Sequence, residues 1–269
     1  MYAAFNVEIT KDLFASIFDV DYYSKVYLDL HCTQNVTIRK CLDEYLLNDE
    51  VLSGKFMMED WFPEVKADVF LSHSHMDLNL AHALAGFLHK RFDLSVFVDS
   101  VVWGYSDALL KKLDNEFCSI GKERYSYSKR NNTTAHVHMM LSTALLKMID
   151  KTECLFFLNT NNSNTVQFRD YMNGPSTYSP WIFSEISIAN SIRRRNDRLM
   201  VIKESAQDSD TLKKCAIAYP LEIKDYPVLN DHLMYKWYKK HSEEKESIHA
   251  LDSLYNMYKD KRGKNYAVW

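Results

Sequence analysis

Glycine is scarce in this chain, with six in 269 residues, and no GxGxxG or Walker pattern occurs. The usual backbone cradle for phosphates is therefore missing, which disfavours conventional hydride transfer on a dinucleotide fold. Cysteine is rarer still. Cys32, Cys41, Cys118, Cys154 and Cys215 are scattered, odd in number and without a CxxC pair, so their spacing offers no zinc site and fits free thiols in a reducing compartment. No apolar run approaches the roughly 20 residues that cross a bilayer. The first residues lack the basic-then-apolar layout of a signal peptide. Nor does one sign of charge dominate: 33 basic and 36 acidic side chains leave a net charge of -3, which argues against a general nucleic-acid binder. The expectation is a soluble, cytoplasmic protein that neither spans a membrane nor binds nucleic acid.

Apolar residues are plentiful. They make up 46% of the chain, and aromatic residues 13%, enough for a substantial folded core. Residues 1–65 read as mostly helical, with Ile38, Cys41, Leu42, Tyr45 and Leu46 at helical spacing. At Lys66 the pattern changes. Ala67–Leu71 is a strand candidate with the polar exit Ser72-His73-Ser74-His75-Met76-Asp77, and a stripe of Leu80, Ala83, Leu84, Phe87 and Leu88 follows. Leu94–Val98 is the next strand candidate, ending at Asp99. Strand, helix and strand with short connections make a βαβ unit.

After the apolar loop 100–105, a helix is expected from about Ser106. The basic, polar stretch 118–134 reads as an insertion outside the core. Val137, Met140, Leu141, Ala144, Leu145, Met148 and Ile149 form the most regular helical stripe in the chain. Further strands are expected at Leu199–Ile202 and at Cys215–Ala218 or Leu221–Ile223, and a last helix through Ile248, Leu251, Tyr255 and Tyr258. The histidine pairs His73/His75 and His136/His138 are each two residues apart, a poor arrangement for shared metal ligation.

The stretch 153–190 organises the rest. Glu153-Cys154-Leu155-Phe156-Phe157-Leu158 turns abruptly polar at Asn159, the pattern of a buried parallel strand. A loop with Gly174, Pro175 and Pro180 leads to a helix near Trp181. Trp181 and Glu185 are four apart and share one helix face. Ligands of open parallel sheets bind beyond the strands' carboxyl ends, where such a helix begins. Read alone, Glu185 is an ordinary solvated helix residue.

Four features in series resemble a TIR domain. They are Asp68–Ser74 with Asp77, then Val96-Phe97-Val98-Asp99, then the strand around Phe156, then Ser179-Pro180-Trp181-Ile182-Phe183-Ser184-Glu185-Ile186. The resemblance covers roughly residues 66–223 and is similar to the bacterial TIR proteins of anti-phage defence, including the signal-producing subunit of Thoeris-type systems. It implies a flavodoxin-like α/β fold, with a TIR domain over 66–223 flanked by helical segments at 1–65 and 224–269.

The resemblance further implies cleavage of the nicotinamide glycosidic bond of NAD+, which is substrate and not cofactor. It implies a catalytic Glu185 in the W-x-x-x-E pattern that Trp181 begins. Ser72, His73 and Ser74 would line the substrate, with Trp181 as a wall and Asp99 and Trp103 in a closing loop. Each has a plainer reading, a capped turn for the serines and His73 and a core position for Trp181. The product would be ADP-ribose, a cyclic isomer or a conjugate, read by a downstream effector, and the family also implies self-association. The rival expectations are a non-enzymatic adaptor acting through homotypic contacts and a deoxyribosyltransferase-like enzyme.

Overall fold

A computed structural model describes residues 3–9, 18–31, 42–47, 51–102, 106–121, 124–164, 174–192, 218–243 and 248–259. The chain is α/β, with a five-stranded parallel sheet and surrounding helices. It divides into two compact units. One comprises Met1–Phe14, Ser72–Leu78 and Glu153–Trp269, the other Ala15–Leu71 and Asn79–Thr152.

In the first unit, strand β1 (Ala3–Glu8) was expected to belong to a helical segment. Its sequence AAFNVE is apolar and short, and all but Glu8 is buried. It pairs in parallel with the strand Cys154–Leu158 along its whole length, Ala3 opposite Cys154 and Val7 opposite Leu158. Its other edge pairs in parallel with Val228–Asn230, Asn6 opposite Val228 and Glu8 opposite Asn230. Tertiary pairing on both edges overrides the local signal.

Period-two alternation gives β1 two different faces. Phe5 meets Phe156 edge-on at 5.7 Å and stacks on Tyr255 at 6.2 Å. Phe156 in turn meets Trp237, whose indole N–H donates to the Ala250 carbonyl at 2.9 Å. This aromatic cluster seats the helices Asp231–Glu243 and Ala250–Lys259. The opposite face of β1 carries Ala4, Asn6 and Glu8. Residues on both sides of 66–223, namely 3–8 and 228–230, are thus strands of the sheet.

The second unit holds the pair expected from the βαβ pattern. Strand β2 (Val69–Ser72) pairs in parallel with β3 (Val96–Phe97); the unit boundary falls within β2, after Leu71. Asp68 fixes the entry of both strands, its Oδ2 accepting from the Ser95 amide at 2.8 Å and from Ser95 Oγ. The helix α1 (Val20–His31) contacts α3 (Leu78–Phe92), with α2 (Gly54–Trp61) between them in sequence. Tyr23 sits edge-on to Phe87 at 5.4 Å, and its hydroxyl accepts from Arg91 Nε at 2.7 Å. Gly86 permits this approach.

Beyond β3 come α4 (Asp99–Val102), α5 (Ser106–Leu113) and a wide turn over Asp114–Cys118. The stretch 118–134 differs from the loop expected there. It forms a hairpin of β4 (Ser119–Gly121) and β5 (Arg124–Tyr125), then the first turns of α6 (Tyr127–Lys151). Those turns carry few apolar residues, which hid them from a reading based on periodicity. A buried carboxylate anchors them instead. Asp114, 3% exposed, accepts from Arg130 Nε at 2.8 Å and from Thr133 Oγ1 at 2.6 Å.

Other expectations also shift. Ile38, Cys41, Leu199–Ile202 and Cys215–Ile217 lie outside the described residues. Leu42 and Tyr45 are buried, but in a single 3-10 turn, Leu42–Tyr45. Leu221–Ile223 is not a strand. The ladder there is the short antiparallel pair Ser176–Thr177 with Tyr219–Pro220, and the sheet's outer strand in the first unit is Val228–Asn230.

Two predictions follow from these contacts. Ala is favoured over Gly by about 1 kcal/mol in a helix interior, but a Cβ at Gly86 would lie 1.9 Å from the Tyr23 carbonyl oxygen. Backbone cannot yield as a side-chain tip does, so Gly86→Ala should destabilise by about 2–3 kcal/mol, read as a lower urea midpoint. The second concerns Tyr27, 1% exposed, which donates to the Val96 carbonyl at 3.0 Å. Burial first, and the Asp99 charge in addition, hold its ionisation well above the usual 10.0. The folded state therefore favours the neutral phenol. Its contribution to stability is constant below about pH 10 and is lost as pH rises through and beyond that value. Tyr27→Phe should flatten that alkaline decline in urea titrations.

Candidate active site

The residues expected to work together are divided between the units. Ser72, His73, Ser74, Trp181 and Glu185 belong to the first unit, Asp99 to the second. Trp103 lies outside the described residues. Asp99 opens the short helix α4 two residues after β3, and accepts from the Ser100 amide at 2.7 Å, a local contact.

Strand β6 (Cys154–Leu158) is buried throughout. It reaches α7 (Pro180–Ser191) by way of β7 (Ser176–Thr177). Thr177 Oγ1 accepts from the Ser179 amide at 3.1 Å, and Ser179 Oγ accepts from the Ile182 amide at 3.3 Å. Ser179 is the N-cap and Pro180 fills the first turn, where a missing N–H costs nothing. Later along the helix, Phe183 stacks on Tyr219 at 4.7 Å. At the far end Asn190 donates to the Glu222 carbonyl at 2.9 Å and accepts from the Tyr226 hydroxyl at 2.9 Å. Both ends of α7 are therefore fixed within this unit.

The buried positions of α7 are Ile182, Glu185, Ile186 and Ala189, one helical stripe at spacings of three, one and three. Glu185 sits inside that stripe and is 4% exposed. It is not the solvated helix residue that its type suggests. Burying a carboxylate is costly unless hydrogen bonds or charges compensate, so a position of this kind carries a requirement beyond packing. Trp181, one turn earlier, is only half-buried, which distinguishes it from a core tryptophan.

At the exit of β2, Ser72 is 1% exposed, and its Oγ has no hydrogen-bond partner among the described residues. His73 and Ser74 are half-buried. Ser74 caps the 3-10 turn His75–Asp77, its Oγ accepting from the Met76 amide at 3.3 Å. The plain reading of Ser74 as a turn cap is therefore correct at the level of geometry.

Four residues outside the expected site, Asp77, Thr160, Asn162 and Ser163, complete this edge. Asp77 accepts from Thr160 Oγ1 and, at 2.7 Å, from Asn162 Nδ2. Ser163, 1% exposed, closes the same loop, its Oγ donating to the Leu158 carbonyl at 2.9 Å and accepting from the Thr160 amide at 2.8 Å. The loops leaving β2 and β6 are thus clasped by one carboxylate. The signal was present in the run Asn159-Thr160-Asn161-Asn162-Ser163, which reads as a turn until its partner is known.

Among the described residues, no group of three His, Cys, Asp or Glu could hold a metal ion, and no helix is long and apolar enough to cross a membrane. No family model, curated protein or solved structure matches this chain.

Removing the clasp has a local consequence. Asp77→Ala leaves two donors to water and should cost about 1–2 kcal/mol, concentrated in the loop after β6. Hydrogen exchange should quicken at the amides of Thr160, Asn162 and Ser163 while those within Cys154–Leu158 stay protected.

Proposed function

We propose that this protein cleaves the nicotinamide glycosidic bond of NAD+, with Glu185 as the catalytic carboxylate, in a TIR-type, flavodoxin-like domain. The observation that carries the reading is the place of Glu185 in the buried stripe of a helix capped at its start and tied at its end. The Trp181-x-x-x-Glu185 pattern and the polar exit Ser72-His73-Ser74 support it.

The chemistry suits a single acid. Nicotinamide departs as a neutral base from a cationic pyridinium, so no general acid is needed for the leaving group. As the C1′–N bond breaks, positive charge builds on the ribose, and a fixed carboxylate stabilises it and holds the ribose hydroxyls. Water, or a nucleophile within the ADP-ribosyl group itself, then takes C1′. The first route gives ADP-ribose, and the second a cyclic isomer. Ser72, His73 and Ser74 would contact the substrate, with Trp181 as a wall. In this reading the protein is a cytoplasmic enzyme of bacterial anti-phage defence, self-associating through TIR surfaces, whose product signals to an effector.

Nicotinamide release from NAD+ by purified protein, over a range of protein concentrations, tests the proposal. Glu185→Gln keeps size and loses charge, and should lower turnover by about 10²–10³ with little change in melting temperature. Equal release by both proteins would remove Glu185 from the mechanism. Absence of release from both, also in lysate of infected cells, would favour the adaptor reading.

A further inference from the structure

Strand β1 carries a polar face that the proposed chemistry does not use. Asn6 and Glu8 are two apart and point to the same side of the strand. Asn6 is 6% exposed, in the middle of an otherwise apolar strand with a neighbour on each edge. Its Nδ2 donates to Glu8 Oε1 at 2.8 Å. That bond fixes which end of the amide is which, because a carboxylate requires a donor. The other end, Oδ1, is then an acceptor, and it has no partner among the described residues. A buried acceptor left in that condition is costly and is matched to a donor.

The same carboxylate is approached from β6. The Asn159 amide continues the ladder by donating to the Val7 carbonyl at 2.8 Å, and Asn159 Nδ2 reaches Glu8 Oε1 at 3.5 Å. On the other side Asn230 lies in register with Glu8 but is engaged elsewhere, its Oδ1 accepting from the Leu233 amide at 3.0 Å as a helix cap. Glu8 itself is exposed. Its Oε1 is held by amide donors, so the carboxylate is oriented at the carboxyl edge of the sheet. Asn159 is followed directly by Thr160, which donates to Asp77. One loop therefore joins the end of β1 to the exit of β2 inside a single unit.

We infer that Asn6 and Glu8 form a binding site for the vicinal diol of a ribose, a contact separate from the catalytic carboxylate. The donor–acceptor inventory selects the ligand class. A carboxylate beside an amide carbonyl presents acceptors only, which suits a ligand edge made of hydroxyl donors. A divalent cation needs more anionic ligands than this edge supplies. A phosphate would meet a carboxylate of its own sign. The inference rests on the NAD+ reading only in suggesting which riboside to use; the diol would be that of the adenosine half.

Binding of AMP and of 2′,3′-dideoxy-AMP, followed by NMR shifts or calorimetry on the full chain, tests it without any turnover. AMP should bind at least about tenfold more tightly than the dideoxy analogue, as a lost charged hydrogen bond implies. Glu8→Gln should abolish that difference while Glu185→Gln retains it. Equal binding of the two nucleotides by the wild type, or no binding of AMP up to its solubility limit, would overturn the site. So would a diol preference that persists in Glu8→Gln. Should the Glu8 variant fail to fold, Glu185→Gln decides, since loss of the diol preference there would assign the hydroxyls to Glu185 and overturn the site. Loss of NAD+ cleavage in Glu185→Gln with AMP binding intact separates failure here from failure of the catalytic reading.

Discussion

The parallel ladder between β1 and β6 is the constraint on which the first unit depends. Residues 3–7 meet residues 154–158 one for one, and the pairing places Phe5 beside Phe156 on a common face. Without that register the aromatic cluster with Trp237 and Tyr255 has no floor. A slip of one residue would turn Asn6 into the cluster and Phe5 away from it. The alternation of β1 therefore does two things at once. It seats the last helices on one face and presents an amide and a carboxylate on the other.

The candidate site follows from the same geometry. Parallel strands end on the same edge, so polar side chains that terminate different strands gather there without being near one another in sequence. Ser72 ends β2, Asn159 follows β6 and Glu8 ends β1. Helix α7 is fixed by its cap and by Asn190, and its buried stripe includes an acid where an apolar residue would pack at lower cost. Local rules are broken at Glu185 and Asn6, and both breaks concern polar groups in buried positions. Such departures are where binding and catalysis tend to reside.

How much was legible in the sequence depends on what holds each element. The strand at Cys154–Leu158 and the helices over 78–92 and 180–191 were readable because apolar periodicity both marks and stabilises them. The strand Ala3–Glu8 was not, since six mostly apolar residues carry no period of their own and its partners lie far along the chain. The start of α6 was hidden for a different reason. Its anchor is the buried Asp114 with Arg130 and Thr133, a polar contact that no hydrophobic pattern displays. Glu185 was visible by position, but its burial was not, because the stripe that encloses it becomes evident only with Ile182, Ile186 and Ala189 in place.

The placement of β1 also bears on the order of assembly during synthesis. Its first edge partner, β6, begins only at Cys154, and its second only at Val228, both far along the chain from Ala3. Contacts of such separation are slow to form, because closure of the intervening chain precedes any gain from pairing. Residues 15–71 and 79–152 contain their own strand pair, β2 with β3, and precede β6 in the chain. Until residues 154–158 and 228–230 follow, the segment 3–8 is a short apolar stretch without its edges.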